Sequence, residues 1–159
     1  MNNACDTAAL SWFVLTCKHQ YERVSAEALS SFGFETLVPL IKTSRSWSDR
    51  KKVLQLPAFP RYVFCRFEYR TKTAVLRAPG ITSVVSFGGQ PLPVPNETIA
   101  GLRTVISSGL PMSASDGLAI GEEVRLTSGP LKGLTGVLVR ESSSGLKVGV
   151  NVDLLQRSI

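Results

Sequence analysis

One stretch limits what this chain can become: Leu56-Pro57-Ala58-Phe59-Pro60-Arg61-Tyr62-Val63-Phe64-Cys65-Arg66-Phe67. Its last six residues are rich in aromatic and branched side chains, which predicts a strand over 62–67. Side chains on a strand alternate between faces. Val63, Cys65 and Phe67 therefore share one face, and Tyr62, Phe64 and Arg66 share the other. The first set suits a core. The second is an odd choice for solvent, and two readings stay open for it: burial under a helix or second sheet, or presentation to a partner. Pro57 and Pro60 bracket Phe59 in a stiff extended lead-in, because each ring fixes its own φ and keeps the preceding residue out of helix. That places Phe59 near the aromatics of the strand.

Around this strand the hydrophobic period switches. Residues 12–16 read as a first strand. A helix over about 20–32 follows, with Tyr21, Val24, Ala28 and Phe32 at spacings of three and four as its apolar stripe. Gly33 stands where a left-handed cap is wanted. A second strand over 35–41 carries Pro39, which implies an edge position or a bulge. Residues 42–55 are polar and basic and read as a long hairpin. A short helix over 71–77 stops at Pro79-Gly80, and a fourth strand over 81–87 closes at Gly88-Gly89. A last helix shows Ile99, Leu102 and Ile106 on one face, with Asn96 as its N-cap and Gly109 just past its end. The order is strand, helix, two strands, helix, strand, helix. That is an α+β, split βαβ layout, with one sheet and helices packed on one face.

The C-terminal third has no helical period. Residues 109–117 read as a flexible linker that spans about 17 Å as a coil. Beyond it, short strands at 123–127, 136–141, 146–150 and 153–156 are broken by glycine turns, which suits a small β-barrel. The expected division is 9–108, 109–117 and 118–159, and about 40 residues is close to the smallest independent core.

Charge is unevenly placed. The chain carries a net +6. Residues 1–108 hold 13 basic and 7 acidic side chains, and residues 109–159 hold 5 of each. Between 42 and 72 there are 9 basic and 2 acidic residues. So local an excess attracts nucleic acid or an acidic protein surface. Within it Arg50, Lys51 and Lys52 are placed to track phosphates in a salt-dependent way, and Trp47 to stack on a base. A solvated loop is the alternative.

The three cysteines, Cys5, Cys17 and Cys65, are odd in number and lack metal spacing, which points to a reducing compartment. No basic residue precedes Lys18, so the apolar run over 8–17 lacks the start of a signal peptide. No apolar run is long enough for a membrane span. The expectation is a cytoplasmic protein without a membrane partner. One histidine and scattered acids offer no nucleophile–base pair, metal set or phosphate-cradling loop. No catalytic residue, metal or cofactor is expected.

Gly121-Glu122-Glu123-Val124-Arg125-Leu126, then Ser128-Gly129-Pro130-Leu131-Lys132-Gly133-Leu134-Thr135-Gly136-Val137, resembles the KOW motif of small SH3-like barrels. Glycines at 129, 133 and 136 allow tight turns at positive φ. Together with Trp12-Phe13, Pro57 to Phe64, Pro79-Gly80 and Phe87-Gly88-Gly89, the chain resembles the NusG family of transcription elongation and antitermination factors. The likeness runs from Trp12 to Gln156. It implies an N-terminal NGN domain that docks on the clamp helices of RNA polymerase and reduces pausing, with Phe59, Pro60, Tyr62 and Phe64 matching the apolar docking motif. It also implies contact of Lys18, His19 and Arg23 with exposed non-template DNA, or a contact with nascent RNA.

The KOW domain of the family binds termination factor Rho or a small-subunit ribosomal protein. Two departures stand out. Arg61 occupies a position where the family often has glycine, and Leu131 one where it has an aromatic residue. The run from Trp47 to Lys52 looks more like a specialised RfaH-like or UpxY-like branch. Two rival readings are an RRM-like RNA-binding module, which the aromatic strand also suits, and a ribosome-associated KOW protein.

Overall fold

The computed structural model describes residues 9–47, 50–110, 123–127, 132–141, 145–149, 151–152 and 157–158. The chain order opens with β1 (Ser11–Cys17), α1 (Glu22–Ser31), β2 (Glu35–Leu37), β3 (Leu40–Trp47), β4 (Arg50–Pro57) and β5 (Tyr62–Phe67). A 3-10 turn (Tyr69–Thr71) leads into α2 (Lys72–Leu76), β6 (Ile81–Val84), β7 (Ser86–Phe87), β8 (Gln90–Pro91) and α3 (Asn96–Ser107). Five further strands follow: β9 (Glu123–Arg125), β10 (Thr135–Glu141), β11 (Gly145–Gly149), β12 (Asn151–Val152) and β13 (Arg157–Ser158). Two compact units are distinct, one from residues up to Val38 with Phe59–Pro95, the other from Pro39–Ala58 with Asn96 onwards.

The first unit is built on a four-stranded antiparallel sheet in the order β2-β5-β1-β6. Its centre is the pairing of β1 with the aromatic strand, from Ser11↔Phe67 to Thr16↔Tyr62. Alternation sorts the side chains as expected. Phe13, Leu15 and Cys17 join Val63, Cys65 and Phe67 in one buried cluster, closed by Leu29 of α1 and Val75 of α2. Phe13 and Phe67 pack with ring centroids 4.9 Å apart, tilted by 47°, a favoured aromatic arrangement. The other face is buried too, through Trp12, Val14 and Phe64. Of the two readings of the aromatic strand, burial holds for Phe64.

Helix α1 does not bury the stripe its spacing suggests. Tyr21, Val24 and Phe32 are 41%, 49% and 53% exposed, whereas Glu22, Ser25 and Leu29 face inward. The reason lies in main-chain groups that the sheet leaves beside the helix. Ser25 Oγ donates to the Pro79 carbonyl at 2.7 Å, and Glu22 accepts the Arg61 N–H at 2.7 Å. A buried polar group without a partner costs more than a second buried apolar one contributes, so polar side chains take those positions. The helix end follows the expectation. Gly33, at φ 91°, donates to the Ser30 carbonyl and Phe34 donates to that of Leu29, the paired bonds of a Schellman cap.

Two expected strands are each divided. The strand foreseen over 35–41 stops at Leu37 and resumes at Leu40, because Pro39 cannot donate to a ladder. The strand foreseen over 81–87 stays in the sheet only to Val84; Ser86 and Phe87 then pair with Pro91 and Gln90 across Gly88-Gly89. Both glycines have positive φ, 57° and 78°, as a type I′ hairpin turn requires.

In the second unit β3 and β4 form one long hairpin, in register from Leu40↔Pro57 to Trp47↔Arg50. Helix α3 buries Ile99, Gly101, Leu102 and Val105, so Val105 takes an inward place expected of Ile106. Strands β9, β10 and β11 make a three-stranded antiparallel sheet, and β12 pairs with β13. Gly133, at φ 89°, and Leu126 close the turn through bonds of 2.7 and 2.9 Å, with Leu134 buried beside them. Lys132 is exposed and Gly136 buried. Gly129, Pro130 and Leu131 of the KOW-like run, most of the expected linker and the strand expected over 153–156 lie outside the described residues.

Candidate functional site

The proline-framed lead-in ends in a tight turn. The Tyr62 N–H donates to the Phe59 carbonyl at 3.2 Å, which exposes Pro60 and Arg61 and leaves Tyr62 half-buried. Phe59 and Phe64 lie beneath, fully buried, edge to face at 5.7 Å and 78°. Of the four residues expected at a docking surface, Pro60 and Tyr62 reach solvent. Phe64 shares its strand face with Tyr62, yet it is fully buried and packed edge to face against Phe59, which the turn folds inward.

Lys18, His19 and Arg23 are all exposed. Lys18 and His19 belong to the turn between β1 and α1, in which the Tyr21 N–H donates to the Lys18 carbonyl at 3.1 Å. The Tyr21 ring covers Gly80, where any Cβ would collide with it. The Lys18 N–H donates to the Gly80 carbonyl, and the Cys17 N–H to the Arg61 carbonyl, each at 2.9 Å. Main-chain bonds thus bring the turn of Lys18 and His19 to the turn of Pro60 and Arg61.

The hairpin sorts the other basic residues. Trp47 pairs with Arg50, Ser46 with Lys51 and Arg45 with Lys52. Arg50, Lys51 and Lys52 therefore do not share a face. Arg50 and Lys52 fall on the face of positions 45 and 47, and Lys51 on the opposite one. Residues 48 and 49 lie outside the described set. Glu22 and the main-chain role of Arg61 carry no signal in the sequence; the hydrogen bonds to the Arg61 peptide groups and its positive φ bring them forward.

The two described thiols are chemically quiet. Burial pushes the Cys65 thiol up to about 12 and, with the Glu22 carboxylate adding to it, that of Cys17 up to about 11, from an ordinary 9.0. Reactivity needs the thiolate. In the folded chain both should resist a thiol-labelling reagent at pH 8 and react once the chain is unfolded in denaturant. Rapid labelling of either in the folded protein would contradict the packing. The same shifts fix a sign. From about pH 9 upward the unfolded chain loses these protons while the folded chain keeps them, so stability falls with rising pH there.

Among the described residues no group of three His, Cys, Asp or Glu side chains could hold a metal ion. No described helix is long and apolar enough to cross a membrane. The family model described as "Transcription termination factor nusG" matches residues 10–103. The chain belongs to the NusG family. NusG-family proteins are transcription elongation and termination factors rather than enzymes. A solved structure titled "Domain interaction in Thermotoga maritima NusG" matches with a TM-score of 0.50 at 20% sequence identity, covering 96% of this chain and 93% of that one. At that identity the likeness is one of fold, and it agrees with a NusG-type α+β architecture.

Proposed function

We propose that this chain docks on the clamp helices of RNA polymerase and reduces pausing, with Pro60 and Tyr62 as the contact surface and Phe59 and Phe64 as its rigid floor. One observation carries the reading: in a NusG-family chain, a proline-framed turn leaves Tyr62 half-buried on the strand face it shares with Phe64, next to the fully buried Phe59–Phe64 pair. Aromatics set in packed surroundings are the usual anchors of interfaces, since little side-chain freedom is lost on binding. Lys18, His19 and Arg23 add a contact to exposed non-template DNA or to nascent RNA. Trp47, Arg50, Lys51 and Lys52 on the hairpin add a second, salt-sensitive one. In this reading residues 9–108 bind polymerase, 109–117 connect, and 118–159 form a KOW barrel for Rho or a small-subunit ribosomal protein. The Trp47 to Lys52 run favours an operon-specific RfaH-like or UpxY-like role.

The test is binding of the full chain to core RNA polymerase from its own host. Tyr62→Ala, with its folding verified, is expected to bind about tenfold or more weakly, as for a central interface aromatic. Equal binding by both proteins moves the docking surface elsewhere. Failure of the wild type to bind polymerase, together with tight binding of short RNA, favours the RNA-binding module instead.

A further inference from the structure

Among the described residues only two other than glycine have positive φ: Gln20 at 64° and Arg61 at 68°. Both lie at one corner of the first unit, joined through Cys17 and Lys18. An L-residue is strained in this region because its Cβ crowds the following carbonyl, and glycine would occupy it without that strain. Strain of this kind persists only where surrounding structure fixes it. At Arg61 it is fixed on both sides of the residue, through the peptide groups before and after it. The Arg61 N–H is bound by the buried Glu22 carboxylate at 2.7 Å. The Arg61 carbonyl is bound by the Cys17 N–H at 2.9 Å.

Neither bond uses the Arg61 side chain, which is exposed. The same corner exposes Lys18, His19 and, on the first turn of α1, Arg23. Among the described residues, the acidic groups of α1 are Glu22, whose carboxylate is buried and engaged, and Glu27, farther along the helix and exposed. The corner therefore carries a net positive surface. It joins the β1–α1 turn to the turn that leads into Tyr62 through the Cys17 N–H bond to the Arg61 carbonyl.

We propose that Arg61 is a phosphate-contacting residue that joins the polymerase-docking turn to the basic β1–α1 turn, so that a nucleic-acid strand passes along Lys18, His19 and Arg61. The proposal rests on the nucleic-acid reading above and assigns it a residue that a fold-driven choice would replace by glycine. Arginine suits the place because its planar fork binds phosphate oxygens in pairs and stays charged throughout the accessible pH range.

The test is fluorescence anisotropy of a labelled single-stranded DNA 12-mer of mixed sequence, titrated with the full chain at several salt concentrations. Arg61→Gly removes charge and strain together; Arg61→Gln removes charge but retains an L-residue. Both are expected to bind several-fold more weakly at low salt. Both should flatten the plot of log affinity against log salt by about 0.7, the loss of one phosphate contact to a single strand. Arg61→Gly should melt at the same temperature as the wild type or higher. Lys18→Ala/Arg23→Ala serves as the reference for the corner. Wild-type affinity and slope in both Arg61 variants, with Lys18→Ala/Arg23→Ala weakened, overturn the role of Arg61 and leave the nucleic-acid reading standing. No binding by the wild type even at low salt overturns both.

Discussion

Phe64→Ala is expected to lower folding stability by about 3–5 kcal/mol, the range for truncating a buried phenylalanine. The ring is fully buried. It meets Phe59 edge to face, and its strand position pairs with Val14 on one side and Leu37 on the other. Truncation would leave a cavity at the centre of the sheet, and cores relax only in part around such a loss. In a domain of 60–100 residues each 1 kcal/mol shifts the melting temperature by about 4–8 °C, so the transition should fall by more than about 10 °C. Thermal unfolding followed by circular dichroism measures this directly, and a shift of only 1–2 °C would falsify the core placement of the ring. The consequence for function is practical. A variant that truncates Tyr62 and Phe64 together confounds docking with folding, whereas Tyr62→Ala alone tests the surface.

How far the sequence determined these conclusions differs from element to element. The strand over 62–67 and its core face were legible, because alternation on a strand follows from geometry alone and Val63, Cys65 and Phe67 had to face one way. The cap at Gly33 was legible for a similar reason: a helix end needs a left-handed residue, and glycine supplies it without strain. The burial of α1 was not. Tyr21, Val24 and Phe32 are apolar and correctly spaced, yet the inward face is set by the Pro79 carbonyl and the Arg61 N–H, groups contributed by residues 54 and 39 positions away.

Non-local main-chain demands of this kind leave no periodic trace. The candidate site was half legible for the same reason. The family resemblance named Phe59, Pro60, Tyr62 and Phe64 as a group, but which of them meet solvent depends on how the Phe59–Tyr62 turn closes. The basic run from Arg50 to Lys52 was plain as charge, and only the hairpin register divides it between two faces.

Glu22→Ala should cost about 1.5–3 kcal/mol, the range for a hydrogen bond to a charged partner, and it separates two accounts of the basic corner by sign. Glu22 is 4% exposed, and its carboxylate holds the main chain of Arg61. If the corner attracted nucleic acid through summed charge alone, removing a nearby negative group would tighten oligonucleotide binding. If Glu22 acts as a positioning residue, its loss frees the Pro60–Arg61 turn to relax from positive φ. The Arg61 side chain is then no longer delivered to the strand, and binding weakens although the protein has become more positive. Weaker binding at 25 °C, where the variant is still folded, is the expected result. Glu22→Gln, whose amide oxygen can still accept the Arg61 N–H, should restore most of the affinity, although it too removes the charge. Tighter binding in Glu22→Ala than in the wild type would sink the positioning account and leave charge density as the property that matters at this corner.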